Sequence, residues 1–129
     1  MNMNLIVNGA AYGGQSGYSA YRFAETALQQ GHNISQIFFY RDGVTQANQL
    51  VAPNADEFDS IEAWAKLAKR HEFKLYVCVS AAERRGVINA EQQKELGKSA
   101  SNLHPDFEIA GLGVMHDASL VSDRTVTFR

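Results

Sequence analysis

Hydrophobic positions recur along this chain at two alternating periods. Five short apolar runs, Leu5 to Val7, Ile34 to Tyr40, Phe73 to Val79, Phe107 to Ala110 and Thr125 to Phe128, are rich in β-branched and aromatic residues and predict strands. Helical spacing fills the intervals. Ala20, Phe23, Ala24, Ala27 and Leu28 stand at i, i+3, i+4, i+7 and i+8, one face of an amphipathic helix that Gly31 is placed to stop. Asp59 followed by Glu62 resembles a capping box, with Asp in place of Ser or Thr. The helix it opens carries Ile61, Trp64, Ala65 and Ala68 on one side. Glu62, Lys66 and Lys69 lie on the other, with Glu62 and Lys66 ordered for an i, i+4 ion pair. Asn89 and Gly97 bracket a short helix ending at Leu96, and Gly111 to Ser122 reads as a loop and a helix. Arg41-Asp42-Gly43 reads as a turn, Val44 to Asp56 shows no period, and Pro53-Asn54 marks a loop.

The resulting order is β-α-β-α-β-α-β-α-β, with no repeat and no linker, so residues 1–129 read as one domain. Strands that alternate with helices predict a three-layer α/β/α fold around a mainly parallel five-stranded sheet. Right-handed crossovers would gather the loops that follow the strands along one edge, where ligands and chemistry collect in open α/β sheets.

Composition narrows the function classes. A formal charge of −2 on 129 residues supplies no basic face for gripping nucleic acid. No stretch approaches the roughly 20 consecutive apolar residues of a membrane helix. The start, Met1 to Gly9, lacks a basic region and carries an apolar run too short for a signal peptide. The single cysteine cannot form an internal disulfide, and the chain reads as cytoplasmic.

That cysteine, Cys78, stands where the third strand gives way to Ser80-Ala81-Ala82-Glu83-Arg84-Arg85-Gly86. A free cysteine is most often a small buried hydrophobe. At the carboxyl end of a parallel strand it is also well placed to react. If Ser80 to Glu83 begins a helical turn, the N–H groups of residues 79 to 82 would favour a thiolate, with Arg84 and Arg85 as candidate cations or as a solvated face. Without a resolving cysteine, any intermediate on Cys78 must be discharged by another molecule, as in sulfur transfer between protein thiols or hydrolysis by water. Hydrolysis needs a histidine base, and spacing places none of His32, His71, His104 and His116 beside Cys78. The glycine-rich loop Gly9 to Gly17 lies between a strand and a helix, the right context for a phosphate cradle, but matches neither G-x-G-x-x-G nor G-x-x-x-x-G-K-[ST]. A tight β-α connection is its plainer meaning. No histidine pair stands at i, i+4 and one cysteine builds no structural zinc site, so neither metal nor cofactor is expected.

Against this background the sequence resembles the DsrE-like sulfur-relay family over essentially its whole length. The resemblance is carried by Ala11 to Gly13, by Gly31-His32 leading into Phe38 to Val44, by Ala47 to Leu50, and by Asp56 to Asp59 with Trp64. It continues through Val77-Cys78-Val79, Arg84 to Val87, Ser101 to Leu103, Gly111 to Gly113 and Asp123-Arg124. It is closest to the largest of three homologous subunit types. It implies a heterohexamer containing two copies each of this subunit and of TusB-like and TusC-like subunits. It also implies that Cys78 takes persulfide sulfur from a TusA-like donor and passes it to a TusE-like acceptor, for 2-thiolation of the tRNA wobble uridine. Direct tRNA binding is not implied. Related subunits act in the oxidation of stored sulfur, and a non-catalytic nucleotide-binding module using the glycine loop is the remaining alternative.

Overall fold

A computed structural model describes residues 1–129. Its five strands are β1 (Asn2–Val7), β2 (Asn33–Phe39), β3 (Lys74–Cys78), β4 (Phe107–Ala110) and β5 (Arg124–Phe128). All pair in parallel, in the order β4-β3-β2-β1-β5. The helices are α1 (Ser16–Gln29), α2 (Ser60–His71), α3 (Val79–Arg84), α4 (Ala90–Leu96) and α5 (Leu112–Val121), with a 3₁₀ helix over Arg41–Ala47. No helix is long and apolar enough to cross a membrane.

The strand order dictates the layers. From β1 to β4 each strand is added on the same side of its predecessor, so right-handed crossovers put the intervening helices on one face. The return from β4 across the sheet to β5, beside β1, then carries α5 over the opposite face. Pleat alternation sorts the side chains accordingly. Phe39 meets Trp64 of α2 with ring centroids 5.6 Å apart, whereas the Gln36 amide donates to the Val114 carbonyl of α5. Ile37 and Phe39 therefore face α2, and Gln36 and Phe38 face α5.

On the α2 face, edge-on and tilted ring contacts run unbroken from Tyr18 through Phe58, Tyr21, Trp64, Phe39 and Phe107 to His104, with centroids 5.2 to 5.6 Å apart. The Asp59 carboxylate accepts the Glu62 amide hydrogen and caps α2, as expected from sequence. Asn89 and Gln92 form a reciprocal capping box on α4, and Gly97 ends it in the left-handed conformation.

Three departures from the sequence reading have local causes. The Arg41–Gly43 turn is the first stretch of the 3₁₀ helix, whose three-residue turn imprints neither the strand period nor the 3.6-residue period. Phe23 lies at the rim rather than in the core, its ring 5.4 Å from that of Phe128. Glu62 forms no pair with Lys66. Its carboxylate instead accepts from His104 Nε2 at 2.8 Å, while His104 Nδ1 accepts the Asp106 amide hydrogen, which places the ring proton on Nε2.

Candidate active site

β3 runs into α3 without a connecting loop. Small residues make this possible: Ala81 and Ala82 bury against the core at once, and Cys78, still extended at φ −61° and ψ 122°, serves as the residue before the first helical turn. Its Cα pairs with Ala110 at the end of β4. Because Phe38 is opposite Tyr76 in the ladder, alternation places Cys78 on the Phe38 side, the face covered by α5. The thiol is free and only 3% exposed, within the main core cluster. Its Sγ takes no hydrogen bond from the amides of α3. The anion cradle expected from residues 79 to 82 is thus not engaged in the resting chain.

The two arginines are employed elsewhere. Arg85 Nε donates to Asp42 Oδ1 at 2.9 Å and its Nη1 to the Ala81 carbonyl at 3.1 Å, clamping the 3₁₀ helix against α3. Arg84 lines an open cleft that does not include Cys78. No histidine hydrogen-bonds the sulfur either. His104 is committed to Glu62, Nδ1 of His32 lies 3.4 Å from the amino terminus, His71 ends α2, and His116 is exposed on α5. No histidine is thus hydrogen-bonded to Cys78 as the base that hydrolysis requires, whereas thiol exchange requires none once the thiolate is formed. No group of His, Cys, Asp and Glu side chains is arranged to hold a metal ion.

The glycine-rich loop packs inward at its two ends, Gly9 and Gly17, while Tyr12 to Gln15 between them are exposed. A Cβ on Gly17 would lie 2.5 Å from the Ala10 carbonyl and 2.8 Å from the Gln46 amide nitrogen. Gln46 is the organiser that sequence reasoning missed. Fully buried, it donates to the Gly9 carbonyl at 3.0 Å and accepts from Ser60 Oγ at 2.7 Å and Trp64 Nε1 at 2.9 Å. It thereby ties together the loop after β1, the 3₁₀ helix and α2. The one clue in the sequence was a core-facing tryptophan whose N–H requires a buried acceptor. Close approach to Gln46 and to neighbouring backbone accounts for Gly17, as in a tight β-α connection.

A sulfur-handling reading of this fold finds its counterpart among known proteins. The sequence profile of the DsrE/DsrF-like family matches residues 1–128. The chain belongs to that family. It is 50% identical over 124 residues to the sulfurtransferase TusD of Serratia proteamaculans, covering 96% of each chain. Sulfurtransferase TusD of Proteus mirabilis is 51% identical and that of Photorhabdus laumondii 47%, each over 96% of this chain and 95% of theirs. Similarity at this level over nearly the full length of both partners makes this DsrE/DsrF-like chain a sulfurtransferase. The crystal structure of the ychN protein from E. coli shares the fold, with a TM-score of 0.78 over 98% of both chains at 21% identity.

Proposed function

We propose that Cys78 is the sulfur carrier of this sulfurtransferase. The observation that supports this most is positional: the only thiol of a sulfurtransferase chain stands at the carboxyl end of β3, at the sheet edge where this fold class does its chemistry. The Cys78 thiolate attacks the outer sulfur of a donor persulfide, R–S–SH. A new S–S bond forms on Cys78 as the donor S–S bond breaks, and the donor leaves as a thiolate. An acceptor thiolate then attacks the outer sulfur of Cys78–S–SH, forming the acceptor persulfide and restoring the Cys78 thiolate. Atoms and electrons balance without an external oxidant or reductant.

In this proposal the donor is a TusA-like protein and the acceptor a TusE-like protein. The sulfur ends as the 2-thio group of the tRNA wobble uridine. Residues 1–129 act as one cytoplasmic domain within a heterohexamer, with two copies each of this chain and of TusB-like and TusC-like subunits. Delegating tRNA to later partners suits a chain with net charge −2. The resting thiol is 3% exposed, the condition of an inert core cysteine, so the proposal requires a partner to open its surroundings before exchange, because access as well as thiolate fraction governs the rate.

Incubation with a persulfidated donor followed by intact-mass analysis tests the assignment. The expected product has gained one sulfur atom and loses it on reduction. A Cys78→Ser protein that still gains the atom would exclude Cys78 as the carrier.

A further inference from the structure

Tyr40 follows β2 in a still-extended conformation, φ −133° and ψ 161°, and its amide donates to the Val7 carbonyl. Phe39 pairs with Val77, which sets Tyr40 level with Cys78 on the next strand, and alternation turns both to the face that carries Phe38 and α5. Adjacent strands are about 4.8 Å apart. A phenol hydroxyl stands farther than that from its own backbone, so a tyrosine here spans to the sulfur by side-chain rotation alone. Its hydroxyl is also uncommitted. Tyr12 donates to the Phe58 carbonyl and Tyr21 to Glu25, while Tyr18 accepts from Arg22. The two remaining tyrosines, Tyr40 and Tyr76, share the face of Cys78, one level with it and one two residues earlier on β3. Both pack against the core cluster that contains Cys78. Neither hydroxyl is sealed in, because the buried unpartnered polar atoms are Asn4 Oδ1 and Asn8 Oδ1.

The chain around Tyr40 is braced. Arg41 adopts the left-handed conformation at φ 51°, a strain that a residue with a side chain keeps only where its surroundings enforce it. It turns the chain into the 3₁₀ helix, where Gly43 packs on the Val7 carbonyl with no room for a Cβ. The Asp42–Arg85 ion pair at 2.9 Å then ties that helix to α3, so the end of β2 and the Cys78 end of β3 are held against each other.

We propose that the Tyr40 O–H donates a hydrogen bond to Cys78 Sγ whenever that sulfur carries charge. This role rests on Cys78 being the carrier and adds a donor that the α3 amides, the arginines and the histidines do not supply in the resting chain. Sγ is an anion twice in the exchange, as the attacking thiolate on loading and as the leaving thiolate on discharge. A donor at Sγ raises the thiolate fraction for the first and stabilises the leaving group for the second, and the proton stays on the phenol throughout. The other ionisable groups about this face are few. Tyr76 lies deeper on β3, and Glu108 of β4 is held by Lys74 at 2.8 Å. α5 packs Val114, Met115 and Ala118 inward and leaves His116 and Asp117 exposed.

Single-turnover loading from a persulfidated TusA-like protein, followed across pH in the protein purified with its accompanying subunits, tests this role. Tyr40→Phe keeps the ring and its packing and removes only the O–H. Near neutral pH it should load about ten-fold more slowly, the size of effect expected on losing a hydrogen bond to a charged group. Its rate should rise at higher pH than that of the unsubstituted protein, and the deficit should close under alkaline conditions, where the thiolate forms without help. Tyr76→Phe should change neither rate nor profile. An unchanged rate in Tyr40→Phe, or a deficit equal at every pH, would overturn the proposal, as would an equal effect of Tyr76→Phe. Loading that persists in Cys78→Ser is a separate result. It would remove the carrier role, and with it any role for Tyr40.

Discussion

The two faces of the sheet are built on different terms. The α2 face is deep and apolar: Trp64, Ile37, Phe39, Leu75 and Val77 are fully or almost fully buried, and the buried Gln46, which joins it to the loops, satisfies three groups at once. The α5 face is thin. Beneath α5 the fully buried Phe38 lies beside Gln36 and the Ser35–Ser122 hydroxyl pair, with Asn4 reaching Thr125 and leaving its own Oδ1 unpartnered. Ala118 is the only residue of α5 that is buried, whereas Leu120 and Val121 are 71% and 76% exposed. Cys78 faces this thin side. One face is packed as a deep apolar core, and the thiol faces the more polar one.

Breaking the first face should have the largest consequence. Gln46→Leu strands the Ser60 hydroxyl, the Trp64 N–H and the Gly9 carbonyl, and should lower stability by about 3 kcal/mol in urea unfolding, since each orphaned buried group costs about 1–3 kcal/mol and such losses are not additive. A loss below about 1 kcal/mol would show that water replaces the glutamine. On the second face, Leu120→Gln keeps helix propensity and exposes nothing new, so the isolated chain should change by less than about 0.5 kcal/mol. Amide exchange should also be faster in α5 than in α2. Comparable protection in the two helices would remove the contrast between the faces.

A smaller effect sharpens the account of the α1–α2 seam. Burial, reinforced by the neighbouring Glu25 carboxylate, raises the Tyr21 pKa above its ordinary 10.0. The folded chain therefore favours the neutral phenol. This contribution to stability is fully present below the ordinary value and is lost as pH climbs through the raised one. Tyr21→Phe should accordingly flatten the alkaline decline of stability. An unchanged slope would mean that Tyr21 titrates as it does in the unfolded chain.

Much of this architecture is legible in the residues because it rests on local signals. Asp59 and Asn89 announce helix starts, Gly97 announces a stop, and Trp64 falls on an apolar stripe that the structure buries. Long-range chemistry left fainter marks. Asn4, a polar residue in the middle of a buried strand, hides the true start of β1, because its amide is paired with Thr125 at the far end of the sequence. The 3₁₀ helix and Gln46 escape periodic analysis. Arg85 reads as a cation for the thiol until its bond to Asp42, in the 3₁₀ helix, is visible. Cys78 itself was legible as a position, at the end of a strand. Its burial in the main core cluster is a tertiary property that strand position does not reveal.

The central claim is that sulfur passes through Cys78. The most direct measurement follows isotopically labelled sulfur from a persulfidated donor protein to an acceptor thiol protein, sampled on the millisecond-to-second scale. The label should appear first on Cys78, decline as the acceptor gains it, and fail to reach the acceptor in the Cys78→Ser protein. Arrival at the acceptor with undiminished rate in that variant would contradict the account.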